Sequence, residues 1–83
     1  MTSLAYIEGE VIGVGFRLQN RLRVARAERN LSQEELAQLA GVTRQTISSI
    51  ENLQYVPSTL LAFQLARALR KSVEELFYLE EEG

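Results

Sequence analysis

The sequence predicts an all-α domain of five short helices preceded by a short extended (β) arm. Three observations predict it. From Phe16 onward apolar residues recur every three or four positions, the spacing that gives a helix one buried face. The stretches S-Q-E-E (32–35) and S-V-E-E (72–75) are capping boxes, in which a serine hydroxyl and a glutamate satisfy the free backbone N–H groups of a helix start. Residues 4–14, L-A-Y-I-E-G-E-V-I-G-V, are rich in β-branched and aromatic side chains and broken by Gly9 and Gly13, so they read as one strand or a short hairpin.

A lone strand cannot satisfy its own backbone; the expectation is that residues 4–14 pair with the same segment of a second chain, through Tyr6, Ile7, Val11 and Ile12, and the alternative is a disordered tail. A first helix then carries Leu18, Leu22 and Ala25 on one face and runs to about residue 29. Ser32 caps a second, residues 33–40, with Leu36, Ala37 and Ala40 inward, and Gly41 supplies the left-handed stop that helix ends favour. Thr43 caps a third, residues 44 to about 52. Tyr55-Val56-Pro57 is a loop, because proline disfavours helix in the residue before it. Ser58 opens a fourth helix with Leu61, Ala62, Leu65, Ala66 and Leu69 on its core side, and Ser72 a fifth that carries Val73, Leu76 and Phe77. Leu60 and Phe63 fall outside the core stripe of the fourth helix: either they widen the core, or they form an exposed patch suited to a twofold partner. The expected division is an arm at 1–16, a helical domain at 17–79 and an acidic tail at 80–83.

The inventory narrows the chemistry. There is no Cys, His, Trp or Asp, so disulfides, thiolate or imidazole metal sites and Ser-His-Asp or Cys-His catalysis have no residues to use. Pairs of glutamates could in principle act as acid and base, but they stand at helix starts or in the tail, where dipole compensation and solubility account for them. No catalytic residue, metal ligand or cofactor site is expected. With 83 residues, about 60% of the unfolded surface is buried, so stability is modest and a partner subunit would help. No apolar run approaches the roughly 18 residues of a membrane span, and Glu8 and Glu10 interrupt the N-terminal apolar residues, which points away from a secretory signal and towards the cytoplasm.

The net charge of −2 hides an asymmetry. Residues 17–71 hold all nine Arg and Lys against four glutamates, and residues 72–83 hold five glutamates. Phosphate binding depends on the local field, because exposed charges farther apart than about 8–10 Å are screened. An acidic total therefore does not exclude DNA.

Two short helices joined by A-G-V-T, the second exposing small polar side chains, carry the pattern of a helix-turn-helix. With Ile47 and Ile50 turned inward, Arg44, Gln45, Thr46, Ser48 and Ser49 must lie outward on the third helix. A helix that merely faced solvent would more usually carry Glu, Lys and Ala, which propagate helix better than Thr and Ser. The segment G-V-G-F-R-L (13–18) mimics a dinucleotide fingerprint, but Leu18 replaces its third glycine and no βαβ unit follows.

From residue 22 to 77 the chain resembles the lambda-repressor/Cro-like, XRE-type helix-turn-helix regulators. The resemblance runs through R-x-x-R-N-L-S-Q-E-E-L-A-Q-L-A-G-V-T-R-Q-T-I-S-S-I-E-N, then P-S, A-R-A-L and S-V-E-E-L-F. It implies a five-helix lambda-repressor-like DNA-binding domain, usually a homodimer on a palindromic site in double-stranded DNA, most simply a repressor. It also implies roles residue by residue. Gln33 matches a position near the phosphates; Thr43, Arg44, Gln45, Thr46 and Ser49 match the face that enters the major groove; Arg26 and Glu51 match an ion pair between the first and third helices. Ser48 lies on the same outward face, and Asn52, Gln54 and Tyr55, just past the helix, are candidates for backbone contacts. The family commonly has Gly where this chain has Asn30 and Leu53. Asn tolerates left-handed geometry; for Leu53 the expectation is that Asn52 takes that conformation instead, or that the helix runs on. The alternative function is an antitoxin or adaptor that uses the same fold to bind a protein partner.

Overall fold

In the computed structural model, which describes residues 15–82, five helices lie where the caps and apolar stripes place them. The order is β1 (Gly15–Asn20), α1 (Leu22–Glu28), α2 (Gln33–Ala40), α3 (Arg44–Glu51), α4 (Thr59–Leu69), α5 (Val73–Leu76) and β2 (Phe77–Glu82). Both capping boxes close as expected, with Glu35 N–H donating to Ser32 Oγ at 3.0 Å and Glu75 N–H to Ser72 Oγ at 3.1 Å. Thr43 and Ser58 cap α3 and α4 through the N–H groups of Thr46 and Leu61. Gly41 has φ +77°, the left-handed turn between α2 and α3. Leu22, Leu36, Ile47, Ile50, Leu65, Leu69 and Leu76 are fully buried and bring all five helices onto one core.

The all-α expectation needs correction, because β1 and β2 form a two-stranded antiparallel sheet. Leu18 therefore lies on a strand, paired with Leu79, and not on the first helix. Phe77 begins β2 rather than ending α5, and Glu80–82 continue that strand. The cause is long-range. Neither strand can satisfy its backbone alone, and the fold brings the two chain segments side by side, since Arg21 N–H bonds the Leu76 carbonyl at 2.8 Å where β1 and α5 end. Paired residues share a face. One face turns Leu18 and the buried Phe77 to the core, while the other carries Gln19, whose Nε2 donates to Glu80 Oε1 at 2.7 Å, and Tyr78, whose ring lies 4.2 Å from the Arg21 guanidinium carbon. The extended arm expected at residues 4–14, with Tyr6, Ile7, Val11 and Ile12, lies outside the described residues.

Asn20 joins three elements at one point. Its Oδ1 accepts from Leu22 N–H at 3.0 Å, the first N–H of α1, while its Nδ2 donates to the Ile50 carbonyl at 3.0 Å, in the last turn of α3. The sheet is thereby fixed to the end of that helix.

The exit from α3 corrects a second expectation. Asn52 keeps φ −91° and the helix stops; Leu53 itself takes the left-handed conformation, φ +62°. The closing bonds hold it there, because Leu53 N–H reaches the Ile50 carbonyl at 3.0 Å and Gln54 N–H the Ser49 carbonyl at 2.8 Å. Asn30 takes the same conformation at φ +55°, as its side chain allows. A left-handed Leu carries about 1–2 kcal/mol of strain. Glycine removes that strain but adds back about 0.5–1 kcal/mol of unfolded-chain freedom. The Leu53 side chain is about half exposed, so little packing is lost. Leu53→Gly is therefore expected to raise stability by about 0.5 kcal/mol, measured by urea denaturation.

Candidate nucleic-acid interface

The α2–α3 unit is set by what is small and what is apolar. Ala37 and Ala40 are buried where the helices approach, Val42 N–H bonds back to the Ala37 carbonyl at 2.9 Å, and Ile47 and Ile50 fix the inner face of α3. The outer face then has no choice. Arg44 and Gln45 are exposed, and Thr46, Ser48 and Ser49 are half-buried along the same helix.

A shallow concavity of about 320 Å³ lies on that face, lined by Thr43, Gln45, Thr46, Ser49, Gln54 and Tyr55. The structure thus brings together six of the residues that the sequence singles out, four from α3 and its cap and two from the loop beyond. The hydroxyls of Thr43 and Thr46 are 3.1 Å apart, so one donates to the other and each keeps acceptor capacity on the surface.

Arg44, Ser48 and Asn52 do not line the concavity; beside Arg44, Gln33 and Arg26 gather around one carboxylate. Glu51 accepts from Arg26 twice, Nε to Oε2 at 2.8 Å and Nη2 to Oε1 at 3.2 Å, and its side chain is fully buried. Arg26 Nη1 also donates to the Leu31 carbonyl at 2.9 Å, which ties the α1–α2 turn to the pair. Gln33 Nε2 donates to Glu51 Oε1 at 3.0 Å, and Gln33 Oε1 accepts from Arg44 Nη1 at 3.1 Å. Gln33 therefore couples the first residue of α3 to the buried carboxylate. Burial by itself would push the Glu51 carboxyl up; the bonds from Arg26, Gln33 and Arg23 and the Arg26 charge outweigh it and hold the group below its ordinary value. It is ionised at neutral pH.

Two participants were not legible in the sequence. Asn20 fastens α3 from the sheet side. Arg23, exposed and one helical turn before Arg26, reaches both Glu51 and Asn52. The only available signal was its i, i+3 spacing to Arg26 on one face of α1. Leu60 and Phe63 do not widen the core: both are more than half exposed, and Phe63 borders a depression of about 660 Å³ with Ala66, Val73 and Arg67.

Residues 22–76 match the model of a family described as Helix-turn-helix (HTH_3). The chain belongs to this family. Among curated proteins, this helix-turn-helix chain is 45% identical over 66 residues to an uncharacterized HTH-type transcriptional regulator of Bacillus subtilis, YgzD, covering 80% of the chain and all of the relative. It is 48% identical over 67 residues to another uncharacterized HTH-type transcriptional regulator, of Methanothermobacter thermautotrophicus, covering 80% of the chain and 97% of the relative. Among solved structures it is similar to the restriction-modification controller protein C.AhdI of Aeromonas hydrophila, with TM-score 0.64 and 38% identity over 66% of this chain and 80% of that one. The resemblance to XRE-type, Cro-like regulators drawn from the motif is thus borne out. Among the described residues, no helix of this regulator is long and apolar enough to cross a membrane.

Proposed function

We propose that this helix-turn-helix regulator binds duplex DNA sequence-specifically as a homodimer, with α3 in the major groove, and represses by occluding its site. The observation that carries the reading is the outer face of α3. Poor helix formers are retained there, around one concavity, on a helix whose inner face is pinned by Ile47 and Ile50.

In this reading Gln45, Thr46, Ser49 and Thr43 face base edges, where Gln suits adenine and Thr offers a hydroxyl and a methyl. Arg44, steadied by Gln33, suits guanine. Gln33, Ser48, Asn52, Gln54 and Tyr55 flank the base-reading row and suit the sugar–phosphate backbone. Leu60 and Phe63 supply an apolar face to the second copy, and the two half-sites of a palindrome would lie about 34 Å apart. The helix-turn-helix core, residues 22–76, is the DNA-binding unit in this reading, with the β1–β2 sheet beside it ending in the acidic Glu80, Glu81 and Glu82.

The test is titration with random-sequence duplex at two salt concentrations, alongside the mass in solution. Phosphate neutralisation predicts binding that weakens steeply with salt, and the apolar face of Leu60 and Phe63 predicts a two-chain mass that falls in Leu60→Ser/Phe63→Ser. No binding at low salt would redirect the reading to a protein partner, an antitoxin or adaptor role on the same fold.

A further inference from the structure

Three guanidinium groups surround Glu51, and one is enough to balance it. Arg26 makes two bonds to the carboxylate, at 2.8 and 3.2 Å, and its side chain is only 16% exposed. Arg44 reaches the carboxylate only through Gln33. Arg23 meets Glu51 Oε1 at 3.4 Å, with its side chain 63% exposed. A contact of that length, at that exposure, contributes little to stability. Arg23 is therefore surplus to the ion pair, yet it is held beside it.

Where it is held gives the residue a use. Arg23 Nη2 donates to Asn52 Oδ1 at 3.4 Å, and Asn52 Nδ2 donates to Ser48 Oγ at 3.4 Å. These three side chains run from α1 across the C-terminal end of α3 onto its outward side. A guanidinium has five donors, and Arg23 uses two of them in long contacts, so an anionic oxygen can take the others without breaking a strong bond. Counting Glu51 with Arg23, Arg26 and Arg44, this edge of the helix carries a surplus of two positive charges.

We propose that Arg23 is a DNA-backbone contact: it binds a phosphate at the edge of the groove that α3 enters, with Glu51 and Asn52 as its positioning residues. This rests on the DNA-binding reading above and adds a contact from α1 to it. The contact neutralises one phosphate and carries no base information. It therefore strengthens binding to every duplex alike.

The test compares wild type, Arg23→Gln and Arg23→Lys, each titrated with a random duplex and with a duplex selected by the wild type, over a series of salt concentrations. Arg23→Gln is expected to make the slope of log K against log salt shallower by about 0.9, equally for both duplexes. Arg23→Lys is expected to restore the slope. A thermal melt of each variant separates this from loss of fold, and both are expected to melt close to wild type. A wild-type slope in Arg23→Gln, or a loss confined to the selected duplex, overturns the proposal while the DNA-binding reading stands. Wild-type protein that binds neither duplex at low salt overturns both.

Discussion

Glu51→Ala is expected to lower stability by about 3 kcal/mol, towards the lower end of what breaking a buried ion pair costs. In a domain of this size that lowers the melting temperature by more than about 10 °C. The Glu51 side chain is fully buried, and its removal strands an Arg26 guanidinium that is only 16% exposed. It also removes the acceptor of Gln33 and, through Gln33, the support of Arg44. The bond from Arg26 to the Leu31 carbonyl survives, which is why the lower end applies. Replacing both partners, as Arg26→Met with Glu51→Leu, is expected to recover much of the loss, because no unpaired charge remains. The sign with pH follows from the depressed carboxyl. Its stabilisation is present above the ordinary carboxylate value of 4.5 and disappears as pH falls through the lower folded value. The gap between wild type and Glu51→Ala is therefore widest near neutrality and narrows in acid, by melts across pH 3 to 7 or so. An equal melt for wild type and Glu51→Ala at neutral pH would show that the pair carries no such load.

On the outer face the same helix should respond in the opposite sense. Arg44→Ala and Gln45→Ala are each expected to weaken binding to the preferred duplex by about 10- to 100-fold, the worth of a bidentate base contact at roughly 1–3 kcal/mol. Stability should hold or rise by a few tenths of a kcal/mol, since both side chains are exposed and Ala is the better helix former. The Arg44 contact to Gln33 lies on the surface and contributes little. Titration of the selected duplex, paired with a melt of each variant, separates the two quantities. Residues kept for folding lose stability when cut back; residues kept for recognition lose affinity and gain helix.

What the sequence made legible and what it hid divide by distance along the chain. Ser32, Thr43, Ser58 and Ser72 cap their helices through groups three residues away, and Gly41 acts on its own backbone, so local pattern sufficed. The core stripes of α2, α3 and α4 were equally local. The pairing of β1 with β2 joins residues about 60 apart, and the glutamates of β2 disguise it, because Glu is a poor strand former. Leu53 departs from the local pattern for a related reason: its side chain argues against left-handed backbone, but the closure of α3 by Leu53 and Gln54 N–H groups overrides that preference. At the candidate site, the outward residues of α3 followed from helical geometry once Ile47 and Ile50 were placed inside. The links of Gln33 to Glu51 and Arg44, and of Arg23 to Asn52, bring together α1, α2 and α3 across long stretches of chain, and no local pattern announces them.

The central claim is that the outward row of α3 reads bases, and selection of bound duplexes from a random pool tests it most directly. The selection is run in parallel with wild type and Gln45→Ala. The account predicts that wild type enriches one motif, repeated with twofold symmetry, and that Gln45→Ala relaxes the preference at one base-pair position in each half while keeping the rest. No enrichment by the wild type, or an identical motif from both proteins, would contradict it.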